Sequence, residues 1–170
     1  MVAFTMSSHA HHRHDAGPVG CAVLTVSDTR TADTDGSGRR IHELLHAQGH
    51  HVEHYRIVKD EPAQIVAALR ALPRAAEVVI INGGTGLARR DTTYEAVQQM
   101  LDKEITGFGE LFRVLSYEQI GAAAMLSRAT AGVFGDRVIF SVPGSTAAVE
   151  LAMTKLILPQ LSHVIGLVRG

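Results

Sequence analysis

The sequence predicts an α/β protein, a sandwich of helices on a largely parallel sheet. Three observations predict it. Short apolar, β-rich runs alternate with stretches whose apolar residues recur at helical spacing. The strand runs give way to polar or glycine-containing segments, which read as turns. One late pair of runs is separated only by a Gly-Asp turn, so one strand runs antiparallel to the rest.

The elements follow in order. Residues 19–26 are apolar and closed by polar Ser27-Asp28, a buried strand in which Cys21 is a small core side chain. Gly36-Ser37-Gly38 precedes a helix with Ile41, Leu44 and Leu45 on one face, and Gly49 ends it at the C′ position. Residues 51–58 alternate as a second strand. Pro62 sits in the first turn of the next helix, striped by Ile65, Val66, Leu69 and Leu72. Residues 78–81 are a third buried strand, and residues 82–90 a glycine-rich loop. Thr92-Thr93-Tyr94-Glu95 reads as a capping box opening a helix through Leu101. Residues 107–126 carry Phe108, Leu111, Phe112, Leu115, Ile120 and Met125, one or two short helices. Residues 131–134 and 138–142 flank Gly135-Asp136 as a hairpin. Pro143-Gly144-Ser145-Thr146 opens the last helix, which Pro159 kinks or breaks.

Composition bounds the function. The 170 residues suit one domain, and 46% hydrophobic with 19% charged residues is globular. Sixteen basic against seventeen acidic residues argue against a general nucleic-acid binder. One cysteine excludes an intramolecular disulfide. Apolar stretches fall short of the ~18 residues of a membrane span, and the start lacks a signal-peptide pattern. The expectation is a cytoplasmic protein without a membrane partner, with residues 1–17 a disordered tail and residues 18–170 a single domain.

In open α/β sheets ligands bind beyond the carboxyl ends of the strands. Asn82-Gly83-Gly84-Thr85-Gly86 follows the third strand directly. Its glycines let the backbone aim several N–H groups at one point, as an anion nest or simply as a tight turn. It is neither a Walker A loop nor a Gly-x-Gly-x-x-Gly fingerprint. Asp91 suits either the first turn of the following helix or a Mg²⁺ ligand beside phosphates. Asp60-Glu61 at the exit of the second strand supplies a carboxylate that could meet it. Pro143-Gly144-Ser145-Thr146 is either a second anion turn or an ordinary N-cap. His42-Glu43-Leu44-Leu45-His46 matches the zinc-protease pattern H-E-x-x-H, one feature of a chain with ten histidines. The stripe of Ile41, Leu44 and Leu45 turns both histidines away from the core, which argues against a catalytic cleft there.

Five segments taken together carry a resemblance. They are Leu24-Thr25-Val26-Ser27-Asp28, the loop from Asn82 through Arg89-Arg90-Asp91, Gly107-Phe108-Gly109-Glu110-Leu111-Phe112-Arg113, Ala124-Met125-Leu126-Ser127-Arg128-Ala129 with Gly132, and Pro143-Gly144-Ser145-Thr146. From about Val19 onward the chain resembles the MoaB/MogA family of molybdenum cofactor biosynthesis proteins. The resemblance implies a three-layer α/β/α sandwich with a mixed sheet, and molybdopterin binding. In catalytic members it implies transfer of AMP from Mg-ATP to the terminal phosphate of molybdopterin, releasing pyrophosphate. It assigns Asp60 and Asp91 as the catalytic, Mg²⁺-binding pair, with Gly83, Gly84, Thr85 and Gly86 cradling phosphate and Arg90, or Arg89, neutralising charge. Ser27, Asp28, Pro143, Gly144 and Ser145 line the pterin side, and Glu110 is a further polar candidate. The late turn lacks the lysine common in the MogA-like branch, which places the chain nearer the MoaB branch. That departure leaves a non-catalytic molybdopterin-binding or carrier protein as the alternative. The resemblance also implies a homo-oligomer, a trimer or a hexamer of two trimers, and a downstream metal-insertion protein as partner.

Overall fold

A computed structural model describes residues 17–170. Apart from Gly17, the expected tail lies outside the described residues.

Six strands form one sheet in the order β2-β1-β3-β6-β5-β4. β1 (Gly20–Val26), β3 (Val78–Asn82) and β6 (Arg137–Val142) occupy its centre and are almost wholly buried. That burial is why they read as continuous apolar runs. β2 (His51–Val58) is one edge, with alternating exposure. β1, β2, β3 and β6 are parallel. β5 (Thr130–Phe134) returns antiparallel to β6 across Gly135, whose φ of 60° suits the tight turn. The two-residue β4 (Lys103–Glu104) then pairs antiparallel to β5, so β5 alone runs against the rest. β4 was not foreseen: two exposed residues carry no periodicity.

The helices form the outer layers. α1 (Gly36–Ala47), α4 (Thr106–Ile120) and the C-terminal rod pack on one face, and α2 (Pro62–Arg70) and α3 (Thr93–Gln98) on the other. α1 closes in a Schellman motif: Gly49, at φ 79°, donates to His46 and His50 donates to Leu45. α4 is a single fifteen-residue helix that continues as a 3₁₀ turn over Gly121–Leu126, rather than short pieces.

The last helix neither breaks nor stays regular. α5 (Thr146–Ala152) passes through a π turn at Met153–Ile157 into α6 (Leu158–Arg169). Pro159 has no N–H and its ring crowds the carbonyl four residues back, and the wider turn just before it takes up that mismatch. The 24-residue rod is long and apolar enough to cross a bilayer, contrary to the expectation from linear runs. Its Val149, Ala152, Met153, Ile157, Leu161 and Ile165 instead belong to the core. Cys21 is fully buried, and burial pushes its thiol up to about 12, so it is inert at neutral pH.

Candidate functional site

The chain runs from β1 to β2 on one side and to β3 on the other, making the β1/β3 boundary a topological switch point. A cleft of about 530 Å³ opens there. One wall is Ser27, Arg30, Gly83 through Gly86, Asp91, Pro143 and Gly144; the other is Ile120, Ala123, Leu126 and Ser127.

The glycine loop is bent by necessity. Gly83 (φ 105°) and Gly84 (φ 66°) lie in the left-handed region, and Gly83 donates to the Val142 carbonyl of β6. The N–H groups of Gly84, Thr85 and Gly86 meet no acceptor among the described residues, which leaves a nest suited to an anion. Two carboxylates flank it. A Cβ on Gly84 would stand 2.5 Å from Asp60 Oδ2, and one on Gly86 would stand 2.6 Å from Asp91 Oδ2.

Asp60 is held by Thr92, whose N–H and hydroxyl donate to its Oδ1 at 2.9 and 2.8 Å. This corrects the capping box. Thr92 is the N-cap of α3 but makes no side-chain cap bond, because its hydroxyl serves a carboxylate from 32 residues away. Glu95 turns instead to Arg128, whose hydrogen bond holds the Glu95 carboxyl below its usual range. α3 also ends at Gln98, short of Leu101. Asp91 Oδ2 accepts the Ala88 N–H at 2.9 Å.

Among the described residues, no three His, Cys, Asp or Glu side chains converge. No three-ligand protein cage is formed among them, and His42 and His46 lie exposed on α1. Two carboxylates are enough for Mg²⁺, which commonly shares its coordination with phosphate oxygens and water. The Thr93 hydroxyl supports that fit: it is buried, lacks a partner, and crowds the same side of Gly84 as Asp60.

The remaining sequence candidates divide. Ser27 lines the cleft while its hydroxyl accepts the N–H of Thr29 and Arg30, turning the chain back over the sheet end. Pro143 and Gly144 line it too. Ser145 stands outside, its hydroxyl capping α5 through the Ala148 N–H at 3.2 Å. Arg90 faces solvent and pairs with Asp28 at 3.0 Å, and neither lines the cleft. Asp28 also accepts the Asp60 N–H at 3.4 Å. Glu110 lies in a neighbouring cavity of about 420 Å³ with Tyr94, Arg113 and Arg128.

Sequence reasoning missed two arginines. Arg128 donates to the carbonyls of Thr85 (3.2 Å), Gly86 (2.6 Å) and Asp91 (3.0 Å), and stacks 5.0 Å from the Tyr94 ring centre. It thereby fixes the carbonyl side of the loop. Arg30 lies in the loop that follows β1, and only tertiary contacts single it out. Behind it, buried Asp35 accepts from Thr25 Oγ1 (2.5 Å), Tyr55 Oη (2.8 Å) and the Gly38 N–H (2.9 Å).

Burial and the bond to Asp35 push the Tyr55 phenol up to about 12. The neutral phenol is favoured in the fold, so its stabilisation is full below pH ~10 and lost as pH rises toward 12. Absorbance titration should show a late tyrosine ionisation step, and Tyr55→Phe should remove it.

Fold and site together define an α/β domain with a glycine nest suited to an anion at its switch point. Residues 22–163 match the family model described as a probable molybdopterin binding domain. The chain is 56% identical over 162 residues to molybdenum cofactor biosynthesis protein B of Halalkalibacterium halodurans, covering 94% of this chain and 95% of that one. A crystal structure of molybdenum cofactor biosynthesis protein B superposes with a TM-score of 0.88 at 53% identity, covering 91% and 98%. The tungsten cofactor synthesizing protein MoaB from Pyrococcus furiosus gives 0.80 at 39%, covering 90% and 98%. The chain belongs to the MoaB/MogA family of molybdopterin-binding-domain proteins, and its role is in molybdenum cofactor biosynthesis.

Proposed function

We propose that the chain is a molybdopterin adenylyltransferase. It binds molybdopterin and ATP and transfers AMP to the terminal phosphate of the pterin. An oxygen of that phosphate attacks the α-phosphorus of ATP and forms the new P–O bond. The bond from the α-phosphorus to the β-bridging oxygen breaks, and pyrophosphate leaves with the electron pair. The attacking oxygen is already ionised, so no general base is required. One observation carries the reading: Asp60 and Asp91 flank the free N–H groups of the glycine nest at the switch point.

In this reading the nest receives phosphate oxygens, and Arg128 keeps the loop in that shape from behind. Asp60 and Asp91 are the residues fitted to hold Mg²⁺, which when bound offsets charge on the transferring phosphate. The apolar wall of Ile120, Ala123 and Leu126 offers a surface for a flat heterocycle. We also infer a homo-oligomer, a trimer or a hexamer of two trimers. Leu111, Val114, Tyr117 and Ile120 form an exposed apolar ridge along α4, as subunit contacts require. A metal-insertion protein would receive the adenylylated product.

The test is to incubate the pure protein with molybdopterin, ATP and Mg²⁺. Pyrophosphate and adenylylated pterin should appear in equal amounts. Pterin binding without either product would leave a carrier and overturn the enzyme reading.

A further inference from the structure

Among the described residues lining the cleft, Arg30 is the one cation. Its guanidinium is placed in advance of any ligand. Nη2 donates to the Gly144 carbonyl at 2.7 Å, while Nη1 lies 3.5 Å from both Asn82 Oδ1 and Asp35 Oδ1. A side chain already ordered loses little rotamer freedom when it binds.

Its ion pair with Asp35, at 3.5 Å, takes up only one corner of the fork. That carboxylate, 1% exposed, already accepts from Thr25, Tyr55 and the Gly38 backbone. The 3.5 Å approach of Arg30 to it is not a bidentate pair. The fork has five N–H groups, and these contacts leave part of it, including Nε, open to an oxyanion.

Position along the loop then separates two kinds of anion site. Asp60 stands at Gly84 and Asp91 at Gly86. Arg30 stands at the opposite end, where a Cβ on Gly144 would lie 3.1 Å from Gly83 Cα and 3.8 Å from Arg30 Nη1. In-line displacement needs the attacking and leaving oxygens on opposite sides of the reacting phosphorus. The carboxylate end, with its cation, suits the nucleotide. The arginine end must then take the attacker, and an arginine there also offsets repulsion between two anionic phosphates.

We propose that Arg30 is the binding residue for the terminal phosphate of the pterin, holding the nucleophile at the Gly83–Gly144 end of the cleft. The inference rests on the adenylyl-transfer reading and names the residue that positions its attacking group.

The experiment compares affinities for molybdopterin and for phosphatase-treated molybdopterin, without ATP and without oxygen, on the full chain and on Arg30→Gln. The unaltered chain should prefer the phosphorylated pterin. Arg30→Gln should weaken that ligand about 10- to 100-fold and leave the dephosphorylated one unchanged, so that the preference disappears. Arg30→Lys, which keeps the charge but not the fork, should fall between them and carries the test should the glutamine variant not fold. An undiminished preference in Arg30→Gln or in Arg30→Lys, or a loss confined to ATP binding, overturns the proposal. Failure of the unaltered chain to bind either pterin overturns the adenylyl-transfer reading itself, and this proposal with it.

Discussion

Asp60→Asn and Asp91→Asn should each lower adenylyl transfer by about 10²- to 10³-fold, mainly in kcat, while molybdopterin binding is largely kept. Asparagine preserves shape and one acceptor oxygen, so the Thr92 bonds to position 60 and the Ala88 bond to position 91 can persist. What disappears is one negative charge beside the nest. Loss of charge without loss of packing should spare pterin affinity and remove the means of holding a cation at the transferring phosphate. Pyrophosphate release at saturating substrates, with pterin binding measured in parallel, checks the split. Unchanged turnover in both variants would remove these carboxylates from the mechanism.

Gly83→Ala should cost about 3–5 kcal/mol of stability, a fall in Tm of roughly 10 °C for a domain of this size. Gly83 sits at φ 105°, where an L side chain is strained, and an added Cβ would collide with the Val26 carbonyl oxygen. That oxygen is backbone at the end of β1, so no side-chain rotation relieves the clash. Gly107, where a Cβ meets nothing within 4 Å, provides the contrast, and Gly107→Ala should shift stability by no more than about 0.5 kcal/mol. Urea unfolding of the two variants measures the difference. Equal stabilities would show that the β1 and β3 ends do not require the close approach.

Much of the molecule is written locally. The apolar runs that became β1, β3 and β6 are legible because strands buried on both faces carry no polar alternation. Gly49, Gly83, Gly84 and Gly135 mark positions of positive φ, a property of the residue itself. Pro62 at a helix start and Ser145 as N-cap follow from missing or satisfied backbone donors within a few residues.

Where the local rules failed, distant groups had competed successfully. Thr92 and Glu95 satisfy the capping-box pattern, but Asp60 and Arg128 offered them charged partners, and charge-assisted bonds are the stronger. Arg90, adjacent to the loop in sequence, turned outward to Asp28, while Arg30 was drawn into the cleft by Gly144.

By itself the sequence determined the strand–helix alternation, the antiparallel hairpin and the loops at which chemistry could occur, since these rest on side-chain periodicity and backbone conformation over a few residues. Only the tertiary structure decided which charged side chains enter the cleft and which face water. That choice depends on carbonyls, carboxylates and hydroxyls brought together from 32 to 114 residues apart, partners that no local pattern specifies.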